Sequence, residues 1–340
     1  MQKKYNIAII GATGAVGQMM IQILLERNFP INNLYLLASE KSDGKKISVN
    51  GKDFTVEVLD GFDFNGVDIA MFSAGADVSK KYANLATKNN TIVIDNTSFF
   101  RYKKNIPLII PEVNASAISE YKQTGIIANP NCSTIQMLVA INPIHDVVKI
   151  RRINVCTYQA VSGSGNLAID ELKKQVHAYV NNEPLISNVY PKQIAFNVIP
   201  QIDKFMDNGY TKEEMKMVWE TKKILDENIE VNPTTVRVPV FYGHSEAVHL
   251  ELEKKISAQK VKDILSNSNS GVILVDGYED GNYPCAANEC EDSNDVYVGR
   301  IREDISTKFG INMWVVSNNI RKGAAYNSIQ IAELLIKDYL

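Results

Sequence analysis

The residues best placed to do chemistry lie in one short stretch, Asn129-Pro130-Asn131-Cys132-Ser133-Thr134. The run that follows, Ile135-Gln136-Met137-Leu138-Val139-Ala140, reads as a helix, so Cys132 stands at or near a helix start. A free thiol has a pKa of about 8.5, and a helix N-terminus lowers it toward the reactive thiolate. The N–H groups of a first helical turn can also stabilise the oxyanion formed when a thiolate adds to a carbonyl. The competing reading of a lone cysteine is a small buried hydrophobe. The other cysteines lack the setting of Cys132. Cys156 lies in an apolar run, and Cys285 and Cys290 form a C-x4-C pair with no second pair or suitably spaced histidine, so no metal site is expected.

A second motif sits near the N-terminus. Gly11-Ala12-Thr13-Gly14-Ala15-Val16-Gly17 follows the apolar run Tyr5–Ile10 and opens a helical pattern over Val16–Arg27. Glycines at this junction let the backbone turn tightly and approach a pyrophosphate, and the helix N-terminus offers free N–H groups to it. The alternative is a tight strand-to-helix turn in an unrelated α/β protein. NAD sites usually carry an acid after the second strand, for the ribose hydroxyls. Here the stretch is Ser39-Glu40-Lys41-Ser42. Ser39, Lys41 and Ser42 suit a 2′-phosphate while Glu40 opposes one, and NADP is the expected cofactor.

The elements that must carry these motifs fall into two textures. Apolar runs at Tyr5–Ile10, Leu34–Ala38, Val67–Phe72 and Thr91–Ile94 alternate with helical patterns, including Asp77–Lys88, which predicts a parallel sheet covered on both faces. Ser73 and Gly75 end the third run, where such sheets bind ligands. Beyond about residue 130, strands are expected at Ile150–Tyr158, Thr235–Val240, Val248–Glu253, Val296–Arg302 and Asn312–Ser317. Helices are expected at Leu167–Val180, Lys212–Asp226 and Ala324–Leu340. The fold class is therefore α/β, a doubly wound parallel sheet plus an α+β domain, with Asn129-Pro130-Asn131 as the hinge.

Composition narrows the function further. The 340 residues are 45% hydrophobic and 22% charged, with a net charge of −3, which argues against a nucleic-acid or anionic-membrane surface. No run of 18 apolar residues exists, and the first apolar run is too short for a signal-peptide core. Four cysteines do not make a disulfide framework, so a cytoplasmic location is expected.

Taken with the Asn-Pro-Asn-Cys-Ser-Thr stretch, three further segments carry a resemblance. They are Tyr158-Gln159-Ala160-Val161-Ser162-Gly163-Ser164-Gly165, Arg237-Val238-Pro239-Val240 followed by Gly243-His244-Ser245-Glu246, and Asn319-Ile320-Arg321-Lys322-Gly323-Ala324-Ala325. Together with the glycine loop they resemble the aspartate-semialdehyde dehydrogenases, essentially from end to end. The resemblance implies a Rossmann domain over 1–130 with 323–340, the last helix returning to it, and a catalytic and dimerisation domain over 131–322. It implies a homodimer. It also implies the reversible NADPH-dependent conversion of β-aspartyl phosphate to aspartate semialdehyde and phosphate, a step toward lysine, methionine and threonine.

By the same resemblance Cys132 is the nucleophile, Gln159 orients the substrate or acyl intermediate, and His244 is the acid–base group. Arg237 would take the α-carboxylate and Glu220 the ammonium, with Arg101, Asn131 and Lys223 on the phosphate. Ser162, Gly163 and Asn318 are expected near the nicotinamide. The residue types suit these roles, since a guanidinium pairs bidentately with a carboxylate and an imidazole shuttles protons near neutrality. The competing readings are a surface ion pair for Glu220 and Lys223, three apart on one helix, a packing arginine for Arg101, and a loop histidine for His244. Two other functions compete. N-acetyl-γ-glutamyl-phosphate reductase shares the chemistry but typically reads Asn-Pro-Gly-Cys at the nucleophile. A non-catalytic nucleotide-binding relative would lack Cys132, Gln159 or His244.

Overall fold

The structure, a computed structural model, describes residues 3–49, 51–267 and 271–340. The chain divides into two compact units, 1–131 with 324–340, and 132–323.

In the first unit the strands are β1 (Tyr5–Ile10), β2 (Ile31–Ala38), β3 (Lys46–Val49), β4 (Lys52–Val58), β5 (Ile69–Phe72), β6 (Ile92–Asp95) and β7 (Ile126–Ala128). They form one sheet in the order β3-β4-β2-β1-β5-β6-β7. Every neighbouring pair is parallel except the β3–β4 hairpin at the edge. The apolar runs of β1, β5 and β6 are continuous because both faces are covered. Helix α1 (Ala15–Glu26) buries Met20, Ile21, Ile23 and Leu24, and α2 (Ala76–Lys88) buries Tyr82, Ala83 and Ala86. A one-turn helix, α3 (Pro111–Asn114), precedes β7. Because β1 lies between β2 and β5, the chain reverses its winding direction there, and the loops after β1 and β5 border the crevice this creates.

The second unit opens with α4 (Cys132–Val147) and continues through β8 (Ile150–Gln159), α5 (Asn166–Val180), α6 (Lys212–Ile224), β9 (Glu230–Arg237) and β10 (His244–Leu252). It ends with α7 (Ala258–Ser266), β11 (Val272–Leu274), α8 (Ala286–Glu289), β12 (Val296–Glu303) and β13 (Gly310–Ser317). Its six strands run β11-β12-β13-β10-β8-β9. Burial alternates along β8, with Ile153, Val155, Thr157 and Gln159 buried and the residues between them half-exposed. That is the pattern of a sheet with one face packed and the other open. Helices α4, α6 and α7 cover the packed face.

The chain then returns to the first unit through a π-turn at Arg321–Ala325 and helix α9 (Tyr326–Asp338). The helical periodicity there is as expected, but its start moves two residues because Arg321–Ala325 is wound more loosely. Ile329, Ala332 and Leu335 of α9 join the core that α1 and the sheet build. The strand expected at Thr235–Val240 lies instead at Glu230–Arg237. Pro233 is tolerated because β9 is an edge strand, and Val238-Pro239-Val240 turns away from the sheet. Among the described residues no helix is long and apolar enough to cross a membrane.

Candidate active site

Sheet register assembles the second unit's polar groups. Gln159 at the end of β8 pairs in register with Arg237 at the end of β9. On the other side Ser245 of β10 lies opposite Tyr158, which sets His244 beside Gln159. Three residues separated by 78 and 7 positions in the chain thus form one row across three adjacent strands. All three are buried.

Their contacts define what each can do. The Ala160 backbone N–H donates to His244 Nδ1 at 3.0 Å, so in the neutral ring the proton sits on Nε2. That Nε2 is buried and has no hydrogen-bond partner among the described residues. Burial, reinforced by the Arg237 charge and opposed by Glu213, pushes the imidazole down to about 3. Arg237 donates one bond to the Ala160 carbonyl at 2.6 Å, while its Nε has no hydrogen-bond partner among the described residues. Gly163 lies against both: a Cβ there would meet Arg237 Nη1 at 3.0 Å and the His244 ring at 3.5 Å. Small size, not conformational freedom, is the requirement at this glycine.

The candidate nucleophile is positioned by a helix start. Cys132 is the first residue of α4, is partly exposed and forms no disulfide. Gly323 packs onto it so closely that a Cβ at Gly323 would lie 2.7 Å from the Cys132 Cβ. Cys290 provides a contrast. It is fully buried, and desolvation with the neighbouring Glu289 charge pushes its thiol up to about 12, which leaves it unreactive.

Helix α6 brings its own acid and cation. Thr211 and Glu214 form a reciprocal capping box, and Glu214 also accepts from the Thr235 N–H at 3.0 Å, which ties the helix start to β9. Glu213, in that first turn, accepts from Gln159 Nε2 at 3.4 Å and pairs with Lys216 at 2.7 Å. Lys216 also reaches Asp203 at 3.1 Å. Glu220 and Lys223 are one heptad further along the helix, with Glu220 buried and Lys223 exposed. The acid that meets Gln159 of the row is Glu213, with Lys216 paired to it, a difference from the sequence expectation of Glu220 and Lys223. Its cause is visible in the sequence, since α6 carries two acid–lysine pairs at the same three-residue spacing and on the same face.

In the first unit the glycine loop has the tight packing a dinucleotide cradle needs. Gly11 takes φ 89°, and a Cβ there would strike the Ala74 backbone at 2.9 Å. At Gly17 a Cβ would lie 2.2 Å from the Gly11 carbonyl oxygen, so the α1 start can approach the loop only without a side chain. Gly14 is exposed at the mouth between them, flanked by the partly exposed Thr13, Ala15 and Val16. Ser73 anchors the neighbouring loop by donating to the Ile10 carbonyl at 3.1 Å, and Gly75 takes φ 100° ahead of α2. After β2, Ser39 and Lys41 are exposed, Ser42 is largely buried, and Glu40 is exposed with them. Arg101 is buried and donates to the Asn96 carbonyl at 2.8 Å. Asn131, also buried, is the last residue before α4.

With this geometry in place, comparison with known proteins is decisive. Residues 6–121 match the family model described as semialdehyde dehydrogenase, NAD binding domain, and residues 141–322 match semialdehyde dehydrogenase, dimerisation domain. Over its whole length the chain is 58% identical to the aspartate-semialdehyde dehydrogenase of Shewanella violacea, with 100% of each chain covered. The crystal structure of aspartate semialdehyde dehydrogenase II from Vibrio cholerae, complexed with ASA, superposes with a TM-score of 0.97 at 55% identity and covers 100% of both chains. The chain belongs to the aspartate-semialdehyde dehydrogenase family.

Within the aspartate-semialdehyde dehydrogenase frame, the remaining expected residues can be sorted by what they touch. Ser162 exchanges hydrogen bonds with the Asn319 carboxamide, which also accepts from the Gly243 N–H at 2.9 Å. Asn318 is saturated: its amide donates to the Cys290 and Glu291 carbonyls, and its oxygen accepts from the Ile320 and Arg321 N–H groups. Its carboxamide therefore organises the loop before the π-turn and has nothing left to offer a cofactor. Glu213, Lys216, Tyr190 and Glu246 were not singled out from the sequence. The Tyr190 ring lies 6.0 Å from the Arg237 guanidinium, but residue 190 sits in an irregular segment with no motif to announce it.

Proposed function

We propose that the chain catalyses the reversible, phosphate-dependent oxidation of L-aspartate 4-semialdehyde to β-aspartyl phosphate with NADP, which in reverse supplies the semialdehyde for lysine, methionine and threonine synthesis. The observation that carries this reading is the buried row Arg237–Gln159–His244 in the unit that begins with Cys132.

In the oxidative direction Cys132 Sγ adds to the aldehyde carbon, and its amide neighbours at the α4 start stabilise the oxyanion of the hemithioacetal. The chemistry that NADP would supply, held at the glycine loop of Gly11, Gly14 and Gly17, is that of a hydride acceptor for that carbon. What remains on Cys132 is a thioester, which inorganic phosphate cleaves at the acyl carbon while the thiolate leaves. Arg101, Asn131 and Lys216 hold the phosphate, with Lys216 taking the role expected of Lys223. The substrate α-carboxylate pairs with Arg237 and its ammonium with Glu213 in place of Glu220, while Gln159 orients the acyl group. His244 moves the proton of the hemithioacetal oxygen. Burial is the main cause of the depressed imidazole and the Arg237 charge the second, so a carboxylate on Arg237 offsets only the second and shifts the His244 pKa upward on substrate binding.

The glycine loop fits a dinucleotide on steric grounds, because side chains at positions 11 and 17 would strike the Ala74 backbone and the Gly11 carbonyl and spoil the close approach of the loop to the α1 start. Ser39 and Lys41 suit the 2′-phosphate that distinguishes NADP, and Glu40, exposed beside them, is free to turn to solvent. A homodimer is supported by the dimerisation-domain match and by the open sheet face, where Cys156, Tyr158, Ala247 and Trp314 are only half-buried. Leu167, Tyr179, Val180, Ile186 and Phe196 of the same unit are also exposed apolar side chains.

The test is NADPH formation from L-aspartate semialdehyde with and without phosphate, with Cys132→Ala as control and NAD and N-acetylglutamate semialdehyde as alternates. Turnover that needs phosphate, Cys132 and the free-amine substrate is expected. Turnover on the acetylated substrate alone would overturn the reading.

A further inference from the structure

Directly behind the row of Arg237, Gln159 and His244 lies a second one. The same register sets Thr235 of β9 beside Thr157 of β8, and Thr157 beside Glu246 of β10. All three are fully buried. A carboxyl group is the least expected side chain in such a place, since an unpaired buried charge is strongly destabilised. Among the described residues no cation acts on Glu246. Across the sheet it faces Thr157 on one side and Val315 on the other, and from α4 it faces Ser133 and Gln136.

Two orphaned groups meet here. Among the described residues neither Glu246 oxygen has a hydrogen-bond partner of regular geometry, and neither has the Gln136 carboxamide oxygen. Ser133 and Gln136 are the polar side chains that act on the carboxyl group. Burial pushes this carboxyl well above the usual range, and in its protonated form it has one O–H to give and one oxygen to receive. That matches its surroundings: the Gln136 oxygen can accept, and the Ser133 hydroxyl can donate. Gln136 in turn donates from Nε2 to the His244 carbonyl at 3.4 Å. Ser133 adjoins Cys132, and Gln136 is one turn further along α4.

We propose that Glu246 is a positioning residue for the reaction above: its carboxyl group joins the first turn of α4, which carries Cys132, to the strand that carries His244, and so holds thiol and imidazole in fixed relation. The proposal rests on the reading of Cys132 and His244 as nucleophile and acid–base group. It predicts an effect on the chemical step and on thiol reactivity, with substrate affinity left to Arg237 and Glu213. Glutamine reproduces the size, donor and acceptor of the neutral acid. Leucine reproduces only the size.

The experiment compares Glu246→Gln and Glu246→Leu with the unmodified enzyme, and adds Gln136→Leu, which removes the other end of the link. Steady-state kinetics with L-aspartate semialdehyde, NADP and phosphate are measured alongside the pH dependence of Cys132 alkylation by iodoacetamide. Thermal melting reports folding. Expected for Glu246→Leu and Gln136→Leu is a fall in kcat of about tenfold or more with KM within about twofold, and a displaced alkylation profile; Glu246→Gln retains kcat within about threefold. Unchanged kcat and alkylation in either folded leucine variant would overturn the proposal, as would a Glu246→Gln variant as impaired as Glu246→Leu. The alkylation assay needs no substrate. An enzyme inactive on the semialdehyde would thus defeat the proposed reaction while the link between α4 and β10 is still tested.

Discussion

The two units position their functional groups by opposite means. The first relies on backbone and on missing side chains. Gly11, Gly14 and Gly17 lie within seven consecutive residues, and at Gly11 and Gly17 the requirement is that no side chain come between backbone segments in close contact. The second relies on side chains whose strands are far apart in the chain. Gln159, Arg237 and His244 meet only because β8, β9 and β10 are neighbours in one register. The first arrangement is local and tolerates no added bulk. The second is non-local, and a register slip of one residue would turn every member to the opposite face.

The largest expected effect separates the chemistry from both arrangements. Cys132→Ala should lower kcat by about 10⁴-fold or more, since covalent catalysis has no second route through this site. NADP binding, followed by quenching of protein fluorescence, should stay near normal. Loss of both together would mean that residue 132 shapes the cradle as well as the reaction.

Next comes the cradle itself. Gly17→Ala places a methyl group 2.2 Å from a backbone oxygen that cannot rotate away, so the α1 start must shift. NADP affinity should fall by about a hundredfold, because the N–H groups that meet the pyrophosphate move with it. Gly163→Ala is the parallel change in the second unit, where the clash at 3.0 Å is with the end of a flexible arginine. It should raise KM for the semialdehyde and lower NADP affinity far less than Gly17→Ala does. Equal effects of the two variants on NADP would erase the distinction between the units.

That contrast also explains what could be read from the sequence. The glycine loop, the parallel sheet of the first unit and the start of α4 at Cys132 were legible because each is written in consecutive residues with a known period. The acid and lysine of α6 were not. Glu213/Lys216 and Glu220/Lys223 have the same spacing, and only the approach of Gln159 to Glu213 chooses between them. Glu246 was hidden for the same reason: alternation along β10 marks position 246 as inward-facing, but nothing local says that Ser133 and Gln136 lie beneath it. The end of β9 was misplaced because Pro239 gives no warning that pairing stops at Arg237, where the row requires a strand end.

A sharper version of the α6 comparison is a matched pair of variants. Lys216→Ala should raise KM for phosphate and semialdehyde by about ten- to a hundredfold, as loss of a partly buried charge contact implies. Lys223→Ala, at an exposed position, should change either constant by less than about twofold. The reverse ranking, measured by initial rates at varied phosphate, would return the phosphate role to the second pair.

The smallest effect concerns stability and follows from where the row is buried. The His244 imidazole is held down to about 3, mainly by burial and then by Arg237, whereas in the unfolded chain it titrates at about 6.5. Below pH 6.5 the unfolded state takes up a proton that the folded state refuses. Stability is therefore fully present above about 6.5 and declines as the pH falls toward 3, by up to about 1.4 kcal/mol per unit for this one group. Carboxylates titrate below about 4.5 and would obscure the effect there, so the useful window is roughly pH 7 to 5. In that window His244→Asn, which cannot titrate, should lose about 2 kcal/mol less stability than the unmodified chain in urea unfolding followed by circular dichroism. No group in the glycine loop titrates, and Gly17→Ala should change stability by the same amount at both pH values. Parallel curves for His244→Asn and the unmodified chain would mean that the ring accepts a proton in the folded state, and that the row of polar side chains is hydrated where its packing says it is dry.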